Sequence, residues 1–394
     1  MHTTLIVALL AVGVAGALRP PGHLPLAAFP VLAALVALMS GSVTAHAARG
    51  ALDALVEPLA FLLLAVPLAA LLDELAVFDT AAQLVAGKRV AVGCWALGCV
   101  VVAVLNLDAA VVLLTPLYIR LARRLVLDPV AFGFQPALLA CLASCALPVS
   151  NLTNLIAVHE RHLNAHDFTS ALALPSVVAV VVGYFGWRIA FRGAALVPAG
   201  PTPAESPARR PLVIGVCVLA ALVVGFLFGD RVGLAPWGVV AIVDIVLVFV
   251  ARSLPWRSTP VDAAAVAAAL AVLAAGVAAH LDVGRLLSNH TGTAAIMRDA
   301  GVTAVLANAC NNLPAFLVLF PFAVRRSSDA QWAVLLGANL GPLLLVTGSL
   351  SGLLWLTVAR REELAVGPVA YLRVGLIAGV PAFVLATTAF ALTR

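Results

Sequence analysis

The stretch ANACNNLPAF, Ala307 to Phe316, places three asparagines and a proline inside a segment otherwise rich in Val, Leu, Ala and Phe. In hydrocarbon, a backbone or amide group without a hydrogen-bond partner carries a high free-energy cost. Such a sequence is therefore tolerated at membrane depth only where it packs within protein or lines a wet cavity. We expect this stretch to line a solute site or to hold a broken helix.

The composition of the whole chain agrees with a membrane setting. Of its 394 residues, 63% are hydrophobic and 10% are charged, and the mean hydropathy is +1.11. These values are far from those of a water-soluble domain. Apolar runs long enough to cross a hydrocarbon core of roughly 30 Å recur along the chain. The sequence predicts an all-α, multi-pass integral membrane protein surrounded by lipid.

Several other functional classes are excluded by simple features. The net charge of +5 reflects Lys and Arg at segment ends, where they set orientation, so no nucleic acid partner is predicted. No P-loop sequence occurs, and the six cysteines lie in apolar runs without paired metal-ligand spacing. We predict a transporter that is not an enzyme and has no cofactor, bound metal or disulfide framework. The run 2–18 lacks a basic segment before it and is predicted to be a retained span.

A Pro-rich segment, VPAGPTPAESPARR, divides the chain. We predict a first repeat over 1–192, a cytoplasmic linker over 193–211 and a second repeat over 212–394. Each repeat contains six apolar runs. They lie at about 2–18, 23–39, 51–72, 88–124, 133–158 and 170–191, then at about 212–229, 234–251, 261–281, 300–324, 331–357 and 366–392.

Basic residues predict how these runs are oriented. Arginines on both sides of the run 88–124 fit a segment that enters and leaves by one face, because a straight helix of that length would be about 54 Å long. We therefore predict a re-entrant hairpin in each half. Five spanning helices plus one hairpin give the halves opposite orientations, the inverted repeat of secondary transporters, with broken helices at the midplane. Arg325 and Arg326 then lie outside, against the positive-inside bias.

Polar clusters at matching places in the two halves predict the site. Proline and glycine interrupt the helices there and free backbone groups. The predicted helix breaks are Pro148, Pro314, Gly341, Pro342 and Gly348. The predicted substrate-binding residues are Asn106, Ser150, Asn151, Asn154, Asn308, Asn311, Asn312, Asn339, Thr347 and Ser349. The alternative is that these side chains only hold helices together.

Asp108 is the acidic residue of the first predicted hairpin tip and is our candidate for proton coupling, since an ionisable group at this depth is a functional candidate. The alternative is a permanently paired structural carboxylate. Cys141, Cys145 and Cys310 lie near the breaks and could offer soft sulfur ligands to a thiophilic solute. The favoured interpretation of these cysteines is that they are buried space fillers.

The same residues carry a family resemblance. NLDAAVVLLTPLYIRLARRL with LPVSNLTNL, and NNLPAFLVL with GANLGPLLLVTGSLSGLLWL and YLRVGLIAGVPAF, are similar to the arsenical pump membrane protein family, ArsB type, of the ion transporter superfamily. The resemblance implies proton-driven extrusion of arsenite or antimonite across a bacterial plasma membrane. It also implies paired hairpins, a homodimer and, in some systems, a cytoplasmic ATPase subunit. It places the acidic hairpin position on Asp108. The chain departs from the family pattern at Leu107 and around Leu345 and Val346.

We therefore expect a secondary active transporter that exports arsenite or antimonite in exchange for protons. The alternative is a sodium-coupled small-anion carrier or a sodium/proton antiporter of the same superfamily, in which freed carbonyls and Asn oxygens would bind the cation. An uncoupled channel is a third class, which the matched broken repeats disfavour.

Overall fold

The computed structural model describes residues 2–18, 24–85, 87, 89–198 and 208–394, and all regular structure in these ranges is helical. Lys88 and the middle of the predicted linker, 199–207, lie outside the described residues. Five described helices are long and apolar enough to cross a membrane: Val56–Glu74, Ala165–Ala190, Arg209–Phe226, Trp256–His280 and Pro368–Ala391.

The helices follow the predicted runs, with two short additions, α3 and α5. The first half contains α1 (His2–Leu18), α2 (Ala28–Met39), α3 (Ala45–Asp53), α4 (Val56–Glu74), α5 (Val77–Val85), α6 (Val90–Leu105), α7 (Leu107–Arg124), α8 (Pro129–Leu142), α9 (Leu152–Arg161) and α10 (Ala165–Ala190). A 3-10 turn, Pro148–Ser150, lies between α8 and α9.

The second half has nine helices within the described residues 208–394. It contains α11 (Arg209–Phe228), α12 (Pro236–Ala251), α13 (Val261–His280), α14 (Thr293–Cys310), α15 (Asn312–Arg326), α16 (Ser328–Leu340), α17 (Leu350–Arg361), α18 (Pro368–Val374) and α19 (Val380–Ala391). A π-helical turn, Gly375–Gly379, joins α18 to α19. Further 3-10 turns lie at Gly229–Val232, Trp256–Ser258, Val283–Leu286 and Val346–Gly348.

Packing also repeats between the halves. Helix α8 packs on α6 and α7, as α16 packs on α14 and α15; α10 contacts α8, as α19 contacts α16. The halves meet where α10 packs along α19. Gly375 lies so close to the segment between α16 and α17 that an added Cβ would be 1.9 Å from the carbonyl oxygen of Leu343. Glycine is therefore required there for the backbones to approach each other.

One asparagine joins each of two helix pairs. Asn106 (φ 96°, ψ 150°) connects α6 to α7, and Asn311 (φ 82°, ψ 149°) connects α14 to α15. Each side chain caps the following helix: Asn106 accepts from the Asp108 N–H at 2.9 Å, and Asn311 from the Leu313 N–H at 3.4 Å. These dihedrals belong to a region that is almost restricted to glycine. The two junctions therefore share one strained geometry.

This geometry predicts different costs for two substitutions of Asn106. Replacement by Gly relieves the strain, but it loses the cap and gives the unfolded chain more conformational freedom, so these effects oppose each other in the free energy of unfolding. Asn106→Val retains a Cβ in the disfavoured region, and we expect it to destabilise the protein by about 1 to 3 kcal/mol more than Asn106→Gly. Thermal denaturation of both variants in detergent measures the difference. Equal midpoints would contradict this account.

Candidate functional site

Four helices begin around one small cavity. The first residues of α7, α9 and α17, Leu107, Leu152 and Leu350, line it, as does Asn312 at the start of α15. The cavity volume is about 70 Å³. Helix N-termini present free N–H groups and a positive partial charge. The cavity therefore has a positive backbone environment that does not depend on a cationic side chain.

The side chains around the cavity are polar on one side and apolar on the other. Asp108, Asn151, Thr153, Asn311 and Asn312 form the polar side. Residues of α1, α4 and α13 form the apolar side, for example Val14, Leu62 and Leu270. Among the described residues, no Lys, Arg or His lines this cavity. It is suited to a small polar solute that is neutral or weakly charged.

Two of the polar side chains have unused hydrogen-bonding capacity. Asp108 lies in the first turn of α7, and its Oδ1 atom is buried without a hydrogen-bond partner. The Asn312 side chain also has no hydrogen-bond partner within the part of the chain that the structure describes. Buried polar groups are normally paired, so these two are candidates for contact with a solute.

Asn339 of α16 holds the cavity's α9 wall in place from the other half of the chain. Its Oδ1 accepts hydrogen bonds from Asn151 Nδ2 at 2.6 Å and from Thr153 Oγ1 at 2.8 Å. Its Nδ2 donates to Asn154 Oδ1 at 2.6 Å. Asn339 itself does not line the cavity. It positions two residues that do.

Asn154 and Ser150 donate hydrogen bonds to backbone carbonyls of the first interrupted segment, which lies between α8 and α9. Asn154 Nδ2 donates to the carbonyl oxygens of Ser144 at 2.7 Å and Leu147 at 3.0 Å. Ser150 Oγ donates to the Ser144 carbonyl at 2.8 Å. These carbonyls have left the helical hydrogen-bond pattern, and the two side chains pair them. Neither side chain lines the cavity.

Asn308 forms hydrogen bonds with backbone groups of the second interrupted segment, which lies between α16 and α17. Its Nδ2 donates to the Gly341 carbonyl at 2.8 Å, and its Oδ1 accepts from the Leu345 N–H at 2.9 Å. Thr347 contributes its carbonyl oxygen to Asn311 Nδ2, at 3.4 Å. Ser349 caps α17 by accepting from the Gly352 N–H at 3.2 Å. Asn308, Thr347 and Ser349 lie outside the cavity lining.

The predicted helix breaks fall at two kinds of place. Pro148 lies in the interruption between α8 and α9, and Gly341, Pro342 and Gly348 lie in that between α16 and α17. Pro314 differs: the helix is interrupted three residues earlier, at Asn311, and Pro314 lies in the first turn of α15. Proline is compatible with a first turn because its missing N–H would have no helical partner there.

The cysteines do not meet at the cavity. The Cys141 Sγ lies 3.9 Å from the Pro342 carbonyl oxygen, Cys145 is fully buried, and the Cys310 Sγ lies 3.1 Å from the Leu306 carbonyl oxygen. None of the three lines the cavity. Within the described ranges, no three His, Cys, Asp or Glu side chains are grouped so that they could hold a metal ion.

The apolar wall was missed by reasoning from the sequence. Val14, Leu62 and Leu270 belong to ordinary apolar spans, and nothing in their type separates them from lipid-facing residues. Only the abundance of alanine in α13 indicates that this helix packs closely against others.

Comparison with known proteins agrees with a transport function. Residues 3–347 match the sequence model of the CitMHS family, described as a citrate transporter. The chain is 26% identical to the arsenical pump membrane protein of Escherichia coli K12 over 358 aligned positions, which cover 82% of this chain and 83% of the relative. It is 27% identical to the protein of the same description from Yersinia enterocolitica over 359 positions, with the same coverage of 82% and 83%.

These matches confirm the predicted class and location. A transporter family and bacterial relatives named as membrane proteins, together with several long apolar helices, identify a multi-pass protein of the bacterial inner membrane. The protein is a carrier and not an enzyme. Because the family model matches most of its length, this chain belongs to the CitMHS citrate transporter family.

Proposed function

We propose that this protein is a secondary active transporter that exports arsenite or antimonite in exchange for protons, at the cavity around Asp108. The observation that carries the proposal is the pair of unpartnered polar groups, the Asp108 carboxyl and the Asn312 amide, at a cavity built from four helix N-termini. The relatives named as arsenical pump membrane proteins support the substrate.

The size and polarity of the cavity favour a small hydroxylated solute. A cavity needs about 10 to 15 Å³ of this kind of volume to hold one water molecule, so a cavity of about 70 Å³ suits a small solute. Trihydroxy arsenite carries hydroxyls that both donate and accept. The Asn312 amide offers both roles in return, and an ionised Asp108 accepts.

Competition between solute and proton provides the exchange. An ionised Asp108 accepts a hydrogen bond from a solute hydroxyl and is stabilised by the positive N-terminal end of α7. Protonation removes the charge and weakens that hydrogen bond. Solute bound from the cytoplasm therefore leaves on the side where Asp108 takes up a proton, and return of the proton completes the cycle.

The proposal includes the inverted repeat and the two re-entrant hairpins. The shared dihedrals at Asn106 and Asn311 and the repeated packing of α6–α8 and α14–α16 support it. The pairs α6–α7 and α14–α15 would then enter from opposite faces and meet at the cavity. The partners implied by the resemblance, a cytoplasmic ATPase subunit and a second copy, belong to this proposal, with membrane lipid around the carrier.

The second candidate is a sodium-coupled carrier of a small anion, or a sodium/proton antiporter. The family description favours an anion, and so do the four helix N-termini. A tricarboxylate such as citrate would meet no cationic side chain among the described residues that line the cavity. Arsenite and citrate uptake into everted vesicles, with a proton gradient and with or without sodium, separates the two candidates.

The first prediction concerns coupling. Asp108→Asn keeps the shape of the side chain but cannot titrate, so we expect gradient-driven arsenite accumulation to fall to the level of vesicles without the transporter. Asp244→Asn is the matched control, because Asp244 is also a buried intramembrane carboxyl but lies in α12, outside the cavity lining. Full proton-driven transport by Asp108→Asn would reject the coupling role.

The second prediction concerns binding. Asn312→Leu removes an amide that makes no hydrogen bond within the described protein, so folding should be retained. We expect the apparent KM for arsenite to rise about tenfold, as for the loss of one hydrogen bond of about 1.4 kcal/mol. Initial rates over a range of arsenite concentrations measure it. An unchanged KM would assign Asn312 to helix packing.

A further inference from the structure

A second cavity continues from the site along three of the same helices. It has a volume of about 400 Å³. On α9 the lining passes from Leu152 in the first cavity to Ile156 in the second. On α13 it passes from Leu270 to Ala271, and on α15 from Leu313 to Leu317. The second cavity therefore begins within about one helical turn of the site.

The far end of this second cavity reaches the surface. Glu160 and Arg325, both exposed, line it near the ends of α9 and α15. Small residues of α3 and α13, such as Gly50 and Ala275, leave room between these helices. Leu313 lines the first cavity and Phe316, three residues further along α15, lines the second, so these apolar side chains lie where the two cavities approach each other.

The equivalent helices at the opposite end of the molecule are held together. Helices α7 and α17 pack on each other, and Arg120 Nη2 donates to Glu362 Oε1 at 2.7 Å. Arg123 also donates to the Glu362 carbonyl oxygen, at 2.5 Å. The Glu362 side chain is 18% exposed and the Arg120 side chain 71% exposed, so the pair lies at the surface with its carboxylate partly covered.

The second repeat offers a counterpart of Arg123. Arg123 is the second-last residue of α7, and Arg325 is the second-last residue of α15. Arg123 contacts the end of α17, whereas Arg325 lines an open cavity beside α9. The end of α15 is also anchored, since Arg326 donates to the carbonyl oxygens of Gly284 and Leu287. The two ends differ in what lies beside them: α7 is ion-paired to α17, whereas a cavity lies between α15 and α9.

We propose that the second cavity is the passage between the solute site and the solvent on the face where α9 and α15 end. The predicted topology makes this the outer face, so the structure has the outward-facing arrangement of the carrier. Leu313 and Phe316 form the remaining constriction. The positive-inside bias does not explain an arginine on the outer face. A place at the opening of the passage accounts for Arg325 there. The inference rests on the proposed solute site.

Cysteine labelling tests the passage. Single cysteines at Ala275 and Ala278, both lining the second cavity, are placed in a background without native cysteines and treated with a membrane-impermeant cationic thiol reagent. We expect labelling from the outside of intact cells but not from the outside of everted vesicles, and we expect it to block transport. Thr357→Cys, exposed on α17 at the opposite end, is the matched control and should label only in everted vesicles.

The outcomes separate the passage from the substrate. If Ala275→Cys labels only in everted vesicles, or labels from outside while transport continues unchanged, the passage is wrong. If arsenite is not transported but both variants label from outside, the arsenite proposal fails and the path stands. Should the background without native cysteines be inactive, the same variants are labelled in the native-cysteine chain and the modified residue is identified by mass spectrometry.

Discussion

The structure depends on one constraint: a backbone that leaves helical geometry inside a membrane must find hydrogen-bond partners within the protein. Two interrupted segments, 143–151 and 341–349, create this demand. Asn154 pairs the freed carbonyls of the first, and Asn308 pairs a carbonyl and an N–H of the second. With their backbones held in this way, α9 and α17 can begin at the cavity, where Leu152 and Leu350 line it.

The two kinds of asparagine therefore have different tasks. Asn154, Asn308 and Asn339 are fully engaged with the protein, and they define where the cavity lies. Asn312 is not engaged and faces the cavity. A site of this kind presents dipoles rather than fixed charges, and Asp108 is the single carboxyl among the described residues that line it. Its net charge then changes only when that carboxyl gains or loses a proton.

Much of this arrangement could be predicted from the sequence. The apolar runs located the long helices because a span needs a minimum length, and the prolines and glycines of both interruptions located the broken helices. The role of each asparagine could not be predicted. Whether an amide faces a carbonyl or a cavity depends on packing between residues far apart in sequence, such as Asn339 with Asn151. Pro314 was predicted to interrupt a helix, but it lies in the first turn of α15, where proline is tolerated; proline breaks a helix only in its interior.

The one-residue junctions at Asn106 and Asn311 limit how the protein can move. Each junction offers only two backbone dihedrals between helices, and a capping hydrogen bond fixes the start of the second helix. A hinge needs residues that can absorb a large change in dihedral angles, and these junctions have little freedom to do so. The pairs α6–α7 and α14–α15 should therefore travel as stiff units. During a transport cycle, these two helix pairs would then slide against α1, α4 and α13. The described side chains of α1, α4 and α13 that line the cavity are aliphatic and form no hydrogen bonds that would fix one arrangement.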